Sequence, residues 1–204
     1  RQMCIRDSHK YSPVDGYLDL KKAICKKFKR DNNLDYDTDQ IVVSTGAKQS
    51  IANVCMSLIN KGDEVVIPTP YWVSYSAMVA LAEGVPVFIN PDEDSNYKIT
   101  AQQLESAITD KTKMLMLNSP NNPSGSVFTE QEYLEFSKVL LKYPNIIIVS
   151  DEIYEHINYG VKSVSFASLP GMYDRTVTVN GISKAYAMTG WRIGYLGAPK
   201  VIAK

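Results

Sequence analysis

Hydrophobic and polar residues alternate along the chain in two different periods, which predict helices and strands in turn. From Tyr17 to Arg30, the apolar residues Leu20, Ile24 and Phe28 recur every four positions among lysines, as on the buried face of an amphipathic helix. Short apolar runs further along predict strands, and several are apolar throughout, as strands covered on both faces must be. The expected strands are Ile41–Ser44, Glu64–Ile67, Val85–Ile89, Met114–Leu117, Ile146–Val149 and Thr176–Val179.

Helix-length segments separate these strands, and two of them open with a capping box. Thr100 with Gln103 and Thr129 with Glu132 have the spacing at which two side chains cap each other's backbone amides, so a helix is expected to begin just after each threonine. Alternating strands and helices favour a single α/β domain with a mainly parallel sheet flanked by helices. In such a sheet, ligands bind outside the carboxyl ends of the strands.

Charge and composition narrow the class of ligand. The chain carries 22 basic and 22 acidic residues, so there is no electrostatic reason to expect nucleic acid or an anionic membrane as partner. Charges interrupt every apolar run well before the roughly 18 residues that a membrane span requires, and the beginning of the chain lacks the apolar core of a signal peptide. We therefore expect a cytoplasmic protein that binds a small molecule.

The cysteines give no sign of a disulfide framework or a metal site. Cys4, Cys25 and Cys55 are odd in number and share neither disulfide nor metal-knuckle spacing. We expect free or buried thiols and no bound metal.

The two ends of the chain differ from the rest. Met3–Ser8 looks like a translated adapter sequence, so residues 1–8 are expected to be a non-native leader and residues 9–204 an incomplete domain. Pro199–Lys204 has the pattern of the first turn of a helix. We expect the chain to be a fragment.

Polar residues follow several predicted strands, where this architecture places its site. Thr45–Ser50 is a small-residue turn that opens a helix, and the free amides of a helix start suit a phosphate; a tight connecting turn would look the same. Asn118–Gly125 is dense in turn formers, as a bare loop would be. Asp151 ends an apolar strand, and Tyr154 follows three residues on, one helical turn away. Burying that carboxylate is costly unless a positive group meets it.

A lysine follows the last predicted strand. Lys184 lies among small residues at the mouth of the sheet, where a lysine has little structural use, and Arg192 follows eight residues later. The stretch Gly181–Gly194 resembles, position by position, the lysine signature of the class I aminotransferases, in the pyridoxal-phosphate (PLP)-dependent aspartate aminotransferase family. Asn118–Gly125, Ser150–Glu155 and Pro70–Tyr75 resemble three more of their motifs, in the expected order.

The resemblance covers residue 9 to the end and implies the large, cofactor-binding domain of that fold, without its small C-terminal domain. By the resemblance, Lys184 would hold PLP covalently and move the proton of the substrate α-carbon. Asp151 would keep the pyridine nitrogen protonated. Tyr154 and Asn122 would donate hydrogen bonds to the ring's phenolic oxygen, and Trp72 would stack on the ring.

The resemblance also implies how the phosphate and a second subunit are arranged. The phosphate would be met by the backbone amides of Gly46, Ala47 and Lys48, the Ser183 hydroxyl and the Arg192 guanidinium. Tyr11 matches a tyrosine that in the family reaches across a homodimer interface to the partner's cofactor phosphate, although local packing suits the sequence equally well. We expect a homodimer for the full-length protein.

These residues lead to one favoured function and leave two alternatives open. The favoured reaction is transfer of an amino group from an α-amino acid, aspartate or an aromatic one, to a 2-oxo acid. The alternatives are a β-lyase or related reaction on the same fold, and a PLP-sensing domain of a transcriptional regulator. Ala187–Arg192 leans toward the aminotransferases. Because the family anchors the substrate carboxylate with its small domain, we expect residues 1–204 alone to be inactive.

Overall fold

A computed structural model describes residues 11–204, so the expected leader at residues 1–8 lies outside the described residues. Among the described residues there are seven strands. They are β1 (Ile41–Ser44), β2 (Glu64–Pro68), β3 (Val85–Ile89), β4 (Thr112–Asn118), β5 (Ile147–Asp151), β6 (Thr176–Gly181) and β7 (Gly194–Gly197). They form one sheet in the order β1-β7-β6-β5-β4-β2-β3.

Six α-helices within residues 11–204 cover this sheet. They are α1 (Leu18–Asn32), α2 (Ala47–Leu58), α3 (Ser74–Leu81), α4 (Ala101–Ala107), α5 (Glu130–Leu140) and α6 (Lys200–Ala203). Both predicted capping boxes are present, with the Thr100 and Thr129 hydroxyls accepting from the backbone amides three residues on. The first helix runs two residues beyond the predicted end, where Asn33 in the left-handed conformation terminates it. None of the helices in this range is long and apolar enough to cross a membrane.

The sheet is mainly parallel, as predicted. Strands β2 to β6 pair in parallel, whereas β7 lies antiparallel between β1 and β6. Strand β7 was not predicted, because its four residues, Gly194–Gly197, include two glycines and form no apolar run. A side chain at Gly197 would collide with the Tyr36 ring, so the glycine lets the strand pass under that aromatic residue.

Apolar layers on both faces explain why the central strands are apolar throughout. One layer lies between the sheet and helices α2 and α3, and the other between the sheet and helices α4 and α5. Consecutive β4 residues alternate between them: Met114 belongs to the first and Leu115 to the second. The register of β4 and β5 then places Asn118 beside Asp151 at the carboxyl edge. The fold thus brings polar strand ends together at one edge.

Candidate functional site

A cavity of about 280 Å³ opens at the carboxyl edge of the sheet, close to the size of small-molecule pockets in proteins. Nine of the residues predicted from the sequence line it. They are Ala47, Lys48, Trp72, Asn122, Asp151, Tyr154, Ser183, Lys184 and Arg192. Segments separated by more than 140 positions along the chain therefore meet in one place, which is the arrangement expected from the ends of neighbouring strands.

Asp151 is the deepest charged group of the cavity. It ends β5 with 4% of its surface exposed, and its carboxylate accepts hydrogen bonds from the Tyr75 hydroxyl (2.6 Å) and the Ile153 amide (3.3 Å). Burial raises the pKa of Asp151 to about 6, although these hydrogen bonds and the Lys184 charge act to lower it. No cationic side chain of the described residues lies within ion-pair distance of it. This carboxylate could therefore accept a cationic ligand group.

Lys184 and Tyr154 lie in two separate turns that are close in space. The Lys184 ammonium is 5.9 Å from the centre of the Tyr154 ring, and the Asn122 side-chain amide donates to the Tyr154 hydroxyl at 3.5 Å. Tyr154 lies in a run of turns and not in the helix that its spacing from Asp151 suggested. Asp151 and Tyr154 nevertheless both line the cavity. Between them, the Ile153 amide donates back to the Asp151 carboxylate and tightens the chain.

A corner with the geometry of an anion-binding site forms where α2 begins. Gly46, with φ of +87°, is the N-cap residue and places no side chain over the amides of the first turn. A Cβ at this position would overlap the Arg192 guanidinium. Arg192 donates to the carbonyl oxygens of Thr189 (2.8 Å) and Thr45 (3.3 Å). Glycine therefore lets a guanidinium fork approach the positive end of the α2 dipole, a combination that favours a phosphate or carboxylate.

Lys48 and Trp72 form the adjoining wall. The Lys48 ammonium is 4.8 Å from the Trp72 ring centre, within cation–π distance, and Trp72 packs edge-on against Tyr75. No carboxylate within residues 11–204 forms an ion pair with Lys48. The cavity therefore has a second lysine whose charge is not neutralised.

Two predicted residues lie outside the cavity lining. Gly46 lies directly beside two lining residues, Ala47 in the chain and Arg192 in space. Tyr11 is the first described residue, and its side chain is fully exposed, so it has no packing role among residues 11–204. Its contact with a partner subunit stays a prediction.

Four lining residues were not named as site residues from the sequence: Tyr75, Asn118, Ile153 and Thr189. Two of them hold other parts of the site in place. Tyr75 holds the Asp151 carboxylate. Asn118 joins two segments, because its amide nitrogen donates to the Asp151 carbonyl (2.9 Å) and its amide oxygen accepts from the Asn122 backbone (2.8 Å). A polar residue ending an apolar strand was the signal that identified Asp151, and the same signal could have found Asn118.

Comparison with known proteins agrees with this geometry. The sequence profile of the family described as aminotransferase class I and II matches residues 4–204. An aspartate aminotransferase from Rhizobium meliloti is 52% identical over 201 residues, covering 98% of this chain and 49% of that protein. A probable aspartate/prephenate aminotransferase from Rickettsia typhi is 53% identical over 197 residues, covering 96% of this chain and 49% of that protein.

The solved structures extend the likeness to the fold. The crystal structure of the aspartate aminotransferase from Rhizobium meliloti matches with a TM-score of 0.95 and 49% identity, over 99% of this chain and 51% of that one. This confirms the predicted fold class. The chain spans about half the length of the relatives it matches. With a profile match from residue 4 to residue 204, the chain belongs to the aminotransferase class I and II family.

Proposed function

We propose that the complete protein is a PLP-dependent aminotransferase, and that residues 9–204 form most of its cofactor-binding domain. One observation carries the proposal: a lysine, a buried carboxylate without a cationic partner and an anion-binding corner line the same cavity. Class I aminotransferases of the aspartate type depend on PLP. That cofactor carries an aldehyde, a basic ring nitrogen and a phosphate, one group for each of these three features.

The residues present fit this cofactor. The Asp151 carboxylate, raised in pKa by burial, is the group that a protonated ring nitrogen would neutralise. The space kept by Gly46 beside Arg192, together with the α2 amides of Ala47 and Lys48, suits a phosphate. The Ser183 hydroxyl lines the same cavity and would add a further donor.

Each residue would then perform a simple task. Bound PLP supplies an electron sink for the electron pair left when the Cα–H bond of the substrate breaks. Lys184 Nζ would hold the cofactor and, after the substrate amine displaces it, would accept the α-carbon proton. Asp151 would keep the ring nitrogen positive. Tyr154 and Asn122 would orient the phenolic oxygen, and Trp72 would cover the ring face.

For the substrate, we favour aspartate or another acidic amino acid over an aromatic one. The relatives named above are described as aspartate or aspartate/prephenate aminotransferases. The Lys48 ammonium supports the same preference, because it lines the cavity without a carboxylate partner among residues 11–204. A substrate side-chain carboxylate would pair with this ammonium. The second substrate would be a 2-oxo acid.

Two broader properties belong to the same proposal. We expect the full-length protein to act in the cytoplasm as a homodimer, with Tyr11 contacting the cofactor phosphate of the partner subunit. Full exposure of Tyr11 within one chain is compatible with such a contact. The aminotransferase names of the relatives favour transamination over the β-lyase and regulator alternatives.

The test is an amino-donor screen of the full-length protein with PLP. Aspartate and 2-oxoglutarate should give glutamate and oxaloacetate in a coupled assay, and no ammonia should be released when the 2-oxo acid is left out. Stoichiometric ammonia release without an acceptor would identify a lyase. Absence of both reactions with every donor would contradict an enzymatic function.

A further inference from the structure

The turn that carries Asp151 and Tyr154 also carries two buried carboxylates on its other side. Glu152 and Glu155 are 2% and 9% exposed and do not line the cavity. Burying a carboxylate costs several kcal/mol unless hydrogen bonds and opposite charge compensate it. Each of these two groups must therefore be held by specific partners, and the partners show which parts of the fold the turn is fixed to.

Glu155 is held from three directions. Its carboxylate forms an ion pair with Lys27 of α1 and accepts a hydrogen bond of 2.7 Å from the Asn32 side chain at the end of α1. From the sheet, the Asn180 side-chain amide donates to it at 2.8 Å. His156 lies 3.3 Å away at the surface. The carboxylate thus joins three segments that are far apart in sequence.

Asn180 connects the Glu155 carboxylate to the segment that carries Lys184. Its amide oxygen accepts from the Gly181 backbone at 2.7 Å, at the end of β6 and three residues before Lys184. Glu155 itself directly follows Tyr154, and its backbone amide closes a turn onto the Glu152 carbonyl at 3.0 Å. The Glu155–Asn180 hydrogen bond is therefore a direct link between the segment bearing Tyr154 and the segment bearing Lys184.

We propose that Glu155 is a positioning residue: through Asn180, Asn32 and Lys27 it fixes the Tyr154 hydroxyl relative to Lys184. The inference rests on the proposed function only for its catalytic consequence. Its structural part, a turn locked by the buried carboxylate, holds without any cofactor. Directional bonds from two amides and an ammonium leave the turn little freedom, and a displacement of 1 Å at a reacting group can lower a rate by about 10²-fold.

The test uses full-length protein and variants that alter the link by one atom or by length. Asn180→Asp keeps an acceptor for the Gly181 amide but turns the donor that faces Glu155 into a second carboxylate oxygen. Asn180→Ser removes the reach to Glu155 without adding charge. Combining Asn180→Asp with Glu155→Gln exchanges donor and acceptor at unchanged net charge. Glu105→Gln, which breaks an exposed ion pair with Lys142, is the matched control.

Two readouts separate the structural part from the catalytic part. In cofactor-free protein, hydrogen exchange of residues 153–157 should be about tenfold faster in both Asn180 single variants. Combining Asn180→Asp with Glu155→Gln should restore part of the protection, because the hydrogen bond is remade but the ion pair with Lys27 is lost. In the PLP-bound protein, a spectrophotometric titration should show the pKa of the bound cofactor raised by about half a unit to one unit, because a hydrogen bond from Tyr154 favours the unprotonated form. The kcat should fall about tenfold with little change in KM.

The outcomes are distinct. Exchange rates and cofactor pKa values of the Asn180 variants equal to those of Glu105→Gln would overturn the proposal. So would an Asn180→Ser substitution that shifts the cofactor pKa equally in wild-type protein and in Tyr154→Phe, because the shift would then not depend on the Tyr154 hydroxyl. Faster exchange without any change in the cofactor pKa would show that Glu155 stabilises the turn without positioning the Tyr154 hydroxyl, and it would also overturn the proposal. If wild-type protein forms no PLP absorbance that Lys184→Ala removes, the proposed function fails, while the exchange result still decides whether Glu155 holds the turn.

Discussion

The two sides of the Asp151–Glu155 turn hold carboxylates in opposite surroundings. On the outer side, Glu155 meets an ammonium and two side-chain amides. On the cavity side, Asp151 meets only a hydroxyl and a backbone amide, so burial raises its pKa to about 6. A buried carboxylate paired with opposite charge fixes a structure, whereas one without a cationic partner can accept a cationic ligand group. The same short segment contains both kinds.

Removing the Lys184 ammonium should have the largest effect. Lys184→Ala deletes the group proposed both to hold the cofactor and to accept the α-proton, so turnover of the full-length protein should fall by about 10⁴-fold. A coupled transamination assay measures this. Lys200→Ala, which loses only an exposed pair with Asp37 and Asp39, should keep wild-type activity. Turnover of the Lys184 variant within tenfold of wild type would remove this lysine from the mechanism.

Removing the Asp151 carboxylate should have the second-largest effect on turnover. Asp151→Ala should lower kcat by about 10² to 10³-fold, since the ring nitrogen loses the charge that keeps it protonated. A PLP analogue with a permanent positive charge at that nitrogen should recover part of the rate in this variant and none in wild type. If the analogue recovers nothing, Asp151 acts on the structure and not on the ring.

The outer side should control the pH dependence of stability. Burial and the nearby Glu155 charge raise the pKa of Glu152 from 4.5 to about 7, a difference worth about 3 kcal/mol. Because the folded state holds this proton more tightly, the stabilisation is full below pH 4.5 and is lost as the pH rises to about 7. In cofactor-free protein Asp151, whose pKa burial raises to about 6, adds a slope of the same sign. Urea unfolding should show the combined slope, and Glu152→Gln should remove the part that is due to Glu152. Equal slopes in the two proteins would contradict the assignment.

The smallest expected effect concerns substrate choice. Lys48→Met keeps packing against Trp72 but removes the Lys48 ammonium from the cavity. The kcat/KM should therefore fall about tenfold for aspartate and less than twofold for phenylalanine. Steady-state kinetics with both donors measure the ratio. Lys61→Met, at an exposed turn, is a matched control. Equal losses for both donors would show that Lys48 does not recognise the substrate side chain.

The fold was predictable where the chemistry is local. Apolar runs gave the position of six strands, and the threonine capping boxes gave two helix starts, because these features depend on neighbours in sequence. Strand β7 was missed, since it is a strand only through its partners β1 and β6. The same limit applies to the ends of the elements, which tertiary contacts decide.

Some residues of the candidate site were likewise predictable from local sequence, and others were not. Asp151 stands out in sequence because a charged residue at the end of an apolar strand is unusual. Lys184 stands out because it lies among small residues, in a stretch that resembles the lysine signature of the family. The hydrogen bond from Tyr75 to Asp151 and the chain of contacts from Lys27 through Glu155 to Asn180 join residues more than 20 positions apart, and no local pattern encodes such a pairing. Their geometry becomes visible only when the strands are assembled.

Borohydride reduction of full-length protein with bound PLP, followed by peptide mapping, identifies the lysine that holds the cofactor. The account predicts a pyridoxyl adduct on Lys184, in the peptide that follows β6, and none on Lys48, the other lysine lining the cavity. An adduct on Lys48 or on any other lysine would contradict the assignment of Lys184.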